Sequence, residues 1–253
     1  MAKKHLGQNF LFDPSILHRI VEVSQITASD TVVEIGPGHG SLTGILSGIA
    51  KKVIAIELDY DLHIKLQEKF SGSGNITLVH GDALSYAYEA LGPFKVVANI
   101  PYYITTPIIF RLMESGKQLK SMTLTIQKEV AQRIVAGPNT KDYGVLSIAV
   151  QYAAITKLEF IIPREEFKPV PKVDSAVIHL TMRETPKVAA GDEEFLFTVI
   201  RTAFSQRRKT LSNALKPLSP EIKEKLNNAG IDPRRRAETL TIEEFAALAE
   251  VLK

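Results

Sequence analysis

The sequence predicts an α/β fold: a mostly parallel sheet with antiparallel strands at one edge, followed by a small helical C-terminal domain. Three observations carry this expectation. Over the first 160 residues, short runs rich in Val and Ile alternate with helical stretches, the rhythm of a parallel sheet buried on both faces. From residue 147 onward, strand-like runs follow one another with no full helix between them. Beyond a stretch at 185–193 that holds Pro, Gly and charge without periodicity, the pattern is helical to the end.

Taken in order, TVVEI (31–35) reads as a strand, followed by the glycine-rich GPGHG and an amphipathic helix from Ser41 to about Ala50. KVIAIEL (52–58) is a second strand, DLHIKLQEKF (61–70) a helix, NITLVHGD (75–82) a third strand and FKVVAN (94–99) a fourth. A helix is expected over 106–115 and a fifth strand over 121–127. SIAVQYAA (147–154), KLEFIIP (157–163) and SAVIHLTM (175–182) read as the added edge strands. In the helical part, Ser219 is expected as an N-cap before Pro220, Gly230 as a C-cap, and Thr241 with Glu244 as a capping box. Two domains follow from this pattern, residues 1–184 and residues 185–253.

Composition narrows the function classes. A hydrophobic content of 45% and a charged fraction of 23% in 253 residues suit a globular chain with a buried core. No apolar run approaches the roughly 18 residues of a membrane span, and MAKKHLGQNFLFDPS lacks a secretory signal's apolar stretch and cleavage site. A cytoplasmic protein with no membrane association is the expectation. The absence of cysteine excludes disulfides, thiolate metal sites and a Cys nucleophile. The histidines form no ligand-spaced cluster, so no metal is expected. Net charge is only +3, but residues 201–236 hold ten Lys or Arg against three acids. The tight groups Arg207-Arg208-Lys209 and Arg234-Arg235-Arg236 suit a phosphate backbone, although a solvated basic helix face would look the same.

The strongest local signal is Glu34-Ile35-Gly36-Pro37-Gly38-His39-Gly40, which follows a strand and opens a helix. Glycines there let the backbone approach a ligand at the carboxyl edge of the sheet. A dinucleotide fingerprint would carry its third glycine at position 41, which is Ser41, so NAD fits poorly. Glu57 ends the second strand, where a carboxylate can accept both hydroxyls of an adenosine ribose. Asp82 ends the third, where it can accept an adenine amino group. Singly, each acid is equally a solvated helix cap; together, in consecutive βα units, the three features suit an adenosine cofactor.

After the fourth strand stands Asn99-Ile100-Pro101-Tyr102-Tyr103. A polar residue, a proline and an aromatic at a strand end suit methylation of an exocyclic amine, whose lone pair is delocalised into the ring. The Asn99 side chain and the Ile100 carbonyl can accept the two amino hydrogens, Pro101 fixes the turn, and Tyr102 can stack on the base. The alternative is a proline-containing turn with two core tyrosines.

These residues and their order resemble the ribosomal RNA adenine dimethyltransferases, in particular the kasugamycin-sensitivity type acting on small-subunit rRNA. The resemblance runs over essentially the whole chain: Leu6-Gly7-Gln8-Asn9-Phe10-Leu11, the Glu34–Gly40 loop, Glu57, Gly81-Asp82, Asn99–Tyr102 and Phe167-Lys168-Pro169-Val170-Pro171-Lys172-Val173-Asp174-Ser175. It implies a Rossmann-like class I methyltransferase sheet and S-adenosylmethionine as cofactor. It also implies that Asn9, Leu11, Gly36, Glu57, Asp82 and Asn99 contact that cofactor, and that Phe167 is a second aromatic against the target base. By itself, a Phe before a Pro-rich turn is usually a core residue. Ile100 stands where the family usually has leucine, a conservative change that keeps the backbone carbonyl. The implied reaction is N6,N6-dimethylation of two adjacent adenines in a loop near the 3′ end of small-subunit rRNA, with a role in subunit maturation. The implied partner is that rRNA within a partly assembled subunit, approached by a monomer. Three rivals stay open: the macrolide-resistance relative acting on one adenine of large-subunit rRNA, a noncatalytic assembly factor on the same fold, and, on glycine grounds the weakest, a dehydrogenase.

Overall fold

The computed structural model describes residues 8–253, so Leu6 and Gly7 of the N-terminal motif lie outside the described residues. The chain divides into two compact units, one of Met1–Ala131 with Lys157–Met182 and one of Gln132–Thr156 with Arg183–Lys253.

The first unit opens with a two-residue strand, β1 (Phe10–Leu11), and a helix that the sequence pattern did not announce, α1 (Pro14–Ser24). The signal was present in Asp13-Pro14: the Asp13 carboxylate accepts the N–H groups of Ser15 at 2.8 Å and Ile16 at 3.1 Å, and Pro14 occupies the first turn. Strands β2 (Thr31–Ile35), β3 (Lys52–Glu57) and β4 (Ile76–His80) then alternate with helices α2 (Ser41–Ser47) and α3 (Tyr60–Lys69). Next come β5 (Phe94–Asn99), α4 (Thr105–Met113), β6 (Leu119–Gln127) and α5 (Lys128–Val135). After the helix α6 (Val145–Ala153), the strands β7 (Ala154–Ile162), β8 (Phe167–Lys168) and β9 (Ser175–Met182) complete the β structure.

Seven strands form one sheet in the order β4-β3-β2-β5-β6-β9-β7. Pairs from β4 through β6 are parallel, and β9 runs antiparallel to β6 with Gln127 opposite Ser175. The chain moves outward from β2 to β4, then returns to lay β5 on the other side of β2. That reversal leaves a crevice beyond the carboxyl ends of β2 and β5, the position where open α/β sheets bind ligands. A separate two-stranded ribbon pairs β1 with β8, Phe10 opposite Lys168 and Leu11 opposite Phe167. Its inner residues Leu11 and Phe167 join Leu17, Ile20, Val32, Val97, Phe160 and Val177 in the apolar core of this unit.

The second unit is helical: α7 (Glu193–Ser205), α8 (Leu211–Ala214), α9 (Ile222–Asn228) and α10 (Ile242–Leu252) gather around Leu196, Ile200, Leu226, Phe245 and Leu248. Three sequence expectations meet a different structure here. Of residues 147–154, read as a strand from their Ile and Val content, 147–153 belong to α6 and Ala154 begins β7. Val145, Ile148, Ala149 and Tyr152 recur at helical spacing, and Ile148 and Tyr152 are buried in this core. That burial also brings residues 132–156 into the second unit, whereas the sequence pattern placed them with the catalytic part. The N-cap of α9 is Glu221 rather than Ser219, whose hydroxyl instead accepts the Glu221 N–H at 3.2 Å. Gly230 takes the left-handed conformation expected after a helix end, φ 72°, and Thr241 and Glu244 form the reciprocal capping box.

Candidate active site at the sheet crevice

The crevice opens into a cavity of about 280 Å³ lined by residues from the ends of β2 to β5 and from the segment before β1. Its floor is the glycine loop. The Gly36 N–H donates to the Ile56 carbonyl at 2.9 Å, continuing the sheet one residue beyond β2, and the chain then passes through left-handed conformations at Gly36, Gly38 and Gly40. At Gly38 a side chain is excluded twice, by φ 59° and by the Phe10 ring, which lies 2.7 Å from where a Cβ would stand. Phe10 in turn packs edge-on to His39, ring centres 4.6 Å apart.

Glu57 sits at the end of β3 with only 5% of its surface exposed. One carboxylate oxygen accepts the Gly38 N–H at 3.0 Å and the other the Asp59 N–H at 2.9 Å. Burial raises its pKa, and these backbone donors oppose the rise. Each oxygen keeps lone-pair capacity for a further donor, which is what a vicinal diol requires. Asp82, exposed beyond β4, has one oxygen turned back to the Leu84 N–H at 2.9 Å.

Asn99, the last residue of β5, donates from Nδ2 to the Asn9 backbone carbonyl at 3.0 Å. The amide is therefore oriented, with Oδ1 as the remaining acceptor. Ile100 donates its N–H to the Thr125 carbonyl at 3.0 Å, and Pro101 rests on the glycine loop, its Cδ 3.7 Å from the Cβ position of Gly36. Tyr102 and Tyr103 begin the single 3-10 turn that follows. Tyr102 is partly buried, with its hydroxyl 2.6 Å from that of Ser175, and burial raises its phenol pKa.

Asn9, Gly36, Glu57, Asp82, Asn99, Ile100, Pro101 and Tyr102, all singled out in the sequence, thus line one cavity. Leu11 does not; it lines a smaller neighbouring hollow with Phe12, Leu17 and Ser41. Phe167 lines neither and is fully buried in the core opposite Leu11. The cavity also uses residues to which the sequence pattern gave no role: Phe10, Leu58 and Tyr103, and Gln8, which reaches the Asp59 carboxylate at 3.1 Å. Tyr103, as the second tyrosine of the Asn99–Tyr103 run, was in plain view.

The basic groups lie in the second unit and are not equivalent. Arg207 donates to the carbonyls of Lys141 and Tyr143, at 2.7 and 3.3 Å. Arg235 makes a forked ion pair with Glu244 and also holds Thr239. Arg234 pairs with Asp232 on the surface. Arg208, Lys209 and Arg236 are exposed. Among the described residues no cluster of His, Asp and Glu is placed to hold a metal ion, and no helix is long and apolar enough to cross a membrane.

Beneath the glycine loop, Glu34 is 2% exposed and accepts the Thr43 hydroxyl at 2.6 Å. Burial, reinforced by the nearby Glu57 charge, pushes its carboxyl up to about 8. A carboxyl neutral when folded but ionised when unfolded binds more protons in the native state between its ordinary pKa near 4.5 and about 8. Stability contributed here is therefore lost as pH rises through that window. Glu34→Gln, which keeps an acceptor for Thr43, should flatten the decline in denaturation midpoint between pH 5 and pH 8; an unchanged slope would show that Glu34 is already ionised in the folded protein.

A model of the ribosomal RNA adenine dimethylase family matches residues 1–253. Ribosomal RNA small subunit methyltransferase A of Listeria monocytogenes strain HCC23 is 48% identical over 268 residues, covering 100% of this chain and 91% of the relative. The enzyme of that name from Clostridium botulinum strain Okra is 49% identical over 257 residues, covering 98% and 93%. Among solved structures, a dimethyladenosine transferase from Plasmodium falciparum superposes with a TM-score of 0.81 at 28% identity, covering 94% of this chain and 95% of that one. The 23S rRNA methyltransferase ErmE superposes with a TM-score of 0.78 at 30% identity, covering 96% and 99%.

Proposed function

The chain belongs to the ribosomal RNA adenine dimethylase family, and from that premise we propose that it uses S-adenosylmethionine to dimethylate N6 of two adjacent adenines in small-subunit rRNA. The target is a loop near the 3′ end, and four methyl transfers complete it. The observation that carries the reading is the oriented Asn99 amide: with Nδ2 held by Asn9, Oδ1 is left to accept a hydrogen from N6.

The cavity fits the cofactor by its donor set. Glu57 suits the ribose diol, Asp82 the adenine amino group, and the glycine loop lets backbone approach without a side chain in the way. Leu11 supports this pocket from behind through the adjoining hollow. When bound, S-adenosylmethionine supplies an electrophilic sulfonium methyl group. The protein's task is to present N6 to it. Accepting one amino hydrogen at Asn99 Oδ1 and the other at the Ile100 carbonyl draws N6 away from planarity and turns its lone pair toward the methyl. Pro101, packed against Gly36, fixes the direction of that carbonyl. Stacking on Tyr102 stabilises the extruded base by about 1–3 kcal/mol. Once methylated, the nitrogen is acidic enough to lose its proton to water, so alignment and fixed dipoles rather than a strong base set the rate. Phe167, which the family resemblance offers as the second aromatic against the base, would have to turn from its buried place beside Leu11 to meet it.

Small-subunit rRNA is favoured over the large-subunit alternative because the full-length relatives near 48% identity are small-subunit enzymes, against 30% for ErmE. The partner is the rRNA within a partly assembled subunit, and the enzyme works as a cytoplasmic monomer, with no membrane association, in subunit maturation. Arg208, Lys209 and Arg236 are the groups of the second unit open to phosphates; Arg207, Arg234 and Arg235 have protein partners and serve that surface chiefly by shaping it.

Labelled cofactor should place its methyl groups as N6,N6-dimethyladenosine in small subunits from a strain lacking the modification; label confined to large-subunit RNA would move the assignment to the resistance-type reaction, and none in either would point to an assembly factor. Asn99→Ala should lower turnover at least a hundredfold while thermal unfolding is unchanged, and near-normal turnover would remove the N6 clamp. Replacing Arg208, Lys209 and Arg236 with Ala should weaken RNA binding and reduce the salt slope by up to about 0.9 for each phosphate no longer neutralised. An unaltered slope would show that this face does not meet RNA.

A further inference from the structure

We propose that Ser175 is a positioning residue that sets the angle of the Tyr102 ring against the target base through the hydroxyl–hydroxyl hydrogen bond between them. The inference rests on the reading of Asn99–Tyr102 as the site that receives the adenine. Tyr102 occupies a 3-10 segment of a single turn, Tyr102–Ile104, whose backbone closure is the Ile104 N–H to Pro101 carbonyl bond at 3.1 Å. So short a turn places the Cα but leaves the side-chain torsions to be fixed from outside. A stacking ring must hold its plane, because a rotated ring loses face contact with the base. Among the described residues, the side-chain polar anchor of Tyr102 is Ser175, 2.6 Å from its hydroxyl.

Ser175 is built to be that anchor. It is fully buried, begins β9, and stands opposite Gln127 in the antiparallel pair with β6. The residue before it is tied down three times. The Asp174 carbonyl accepts the Lys128 N–H at 3.0 Å, its carboxylate lies 3.6 Å from the Lys128 ammonium, and the same carboxylate accepts the Arg164 N–H at 3.3 Å. A buried hydroxyl without a partner would cost stability, and Tyr102 is the partner it has. Alanine would fill the same place in the strand with less polarity, so what serine adds here is the bond to Tyr102. One ring is thus held at both ends, at its root by Pro101 against the glycine loop and at its tip by the sheet. Burial raises the Tyr102 phenol's pKa while the Ser175 bond lowers it, so the phenol is neutral and its oxygen is free to share a proton with the serine.

The test compares wild type, Ser175→Ala, Tyr102→Phe and the double variant on rRNA substrate. Both single variants should lower kcat about tenfold and leave KM for S-adenosylmethionine within about twofold; Ser175→Ala should shift the midpoint of thermal unfolding little, whereas Tyr102→Phe, which strands the buried Ser175 hydroxyl, should lower it. The double variant should be no slower than Tyr102→Phe alone, because both changes break one bond. Carbon-13 labelling of tyrosine Cζ adds a readout free of substrate: the Tyr102 resonance, identified by its loss in Tyr102→Phe, should move in Ser175→Ala. Unchanged kcat in Ser175→Ala, losses that multiply in the double variant, or an unmoved Tyr102 resonance would each overturn the proposal. Failure of the underlying reading is told apart at the first step, since wild-type protein would then transfer no methyl to adenine, and the positioning role would fall with it.

Discussion

Glu57 is a carboxylate carried out of water to the end of a central strand, and the surrounding site depends on how that group is accommodated. Two backbone N–H groups, from Gly38 and Asp59, approach its two oxygens. Meeting the first requires the glycine loop to fold back across the strand end, which is why the chain runs through left-handed φ at Gly36, Gly38 and Gly40. With the loop so placed, Pro101 can rest on Gly36 and Phe10 can fill the space above Gly38. Glu34, one strand away, is buried more fully still, and that burial, with the Glu57 charge adding to it, raises its pKa.

The cavity is braced by pairs of groups far apart in sequence. Asn9 orients Asn99 and Tyr102 meets Ser175, while Leu11 pairs with Phe167 in the core behind. The first unit is therefore a sheet whose central crevice is supported by two short segments, β1 and the start of β9. The helical unit has its own core and its own internal ion pair, Arg235 with Glu244, so its basic surface divides into residues that build it and residues that face outward.

Much of this arrangement is legible in the amino-acid sequence alone. β2 and β5 are legible to the residue because runs of Val, Ile and Phe end abruptly at a glycine or at Asn99-Ile-Pro. Glu57 and Asp82 are legible as cavity residues because each stands at or just beyond a strand end in consecutive βα units, at the sheet edge that faces the crevice. What escapes is whatever depends on a distant partner. α6 is as rich in β-branched and small residues as a strand, which masks the helical spacing of Val145, Ile148, Ala149 and Tyr152 until the core against which Ile148 and Tyr152 pack is seen. Phe167 precedes a Pro-rich turn whether it is buried or poised for a base, and its pairing with Leu11, which buries it here, is not written in that local sequence. Arg235 looks identical in sequence to Arg236, yet Glu244 claims one and leaves the other.

The discontinuity of the catalytic unit carries a consequence for biosynthesis. Its glycine loop, Glu57 and Asn99 are all polymerised before residue 100, but the partners of Leu11 and Tyr102, in β8 and β9, come after the 132–156 segment has been made. At translation rates of roughly 5–20 residues per second, the ribosome holds an open, half-walled sheet for several seconds before Ser175 emerges. The strand β6 meanwhile has no antiparallel neighbour and exposes a sticky edge to the cell. The interval in which that edge stands unpaired ends only when β9 docks against it.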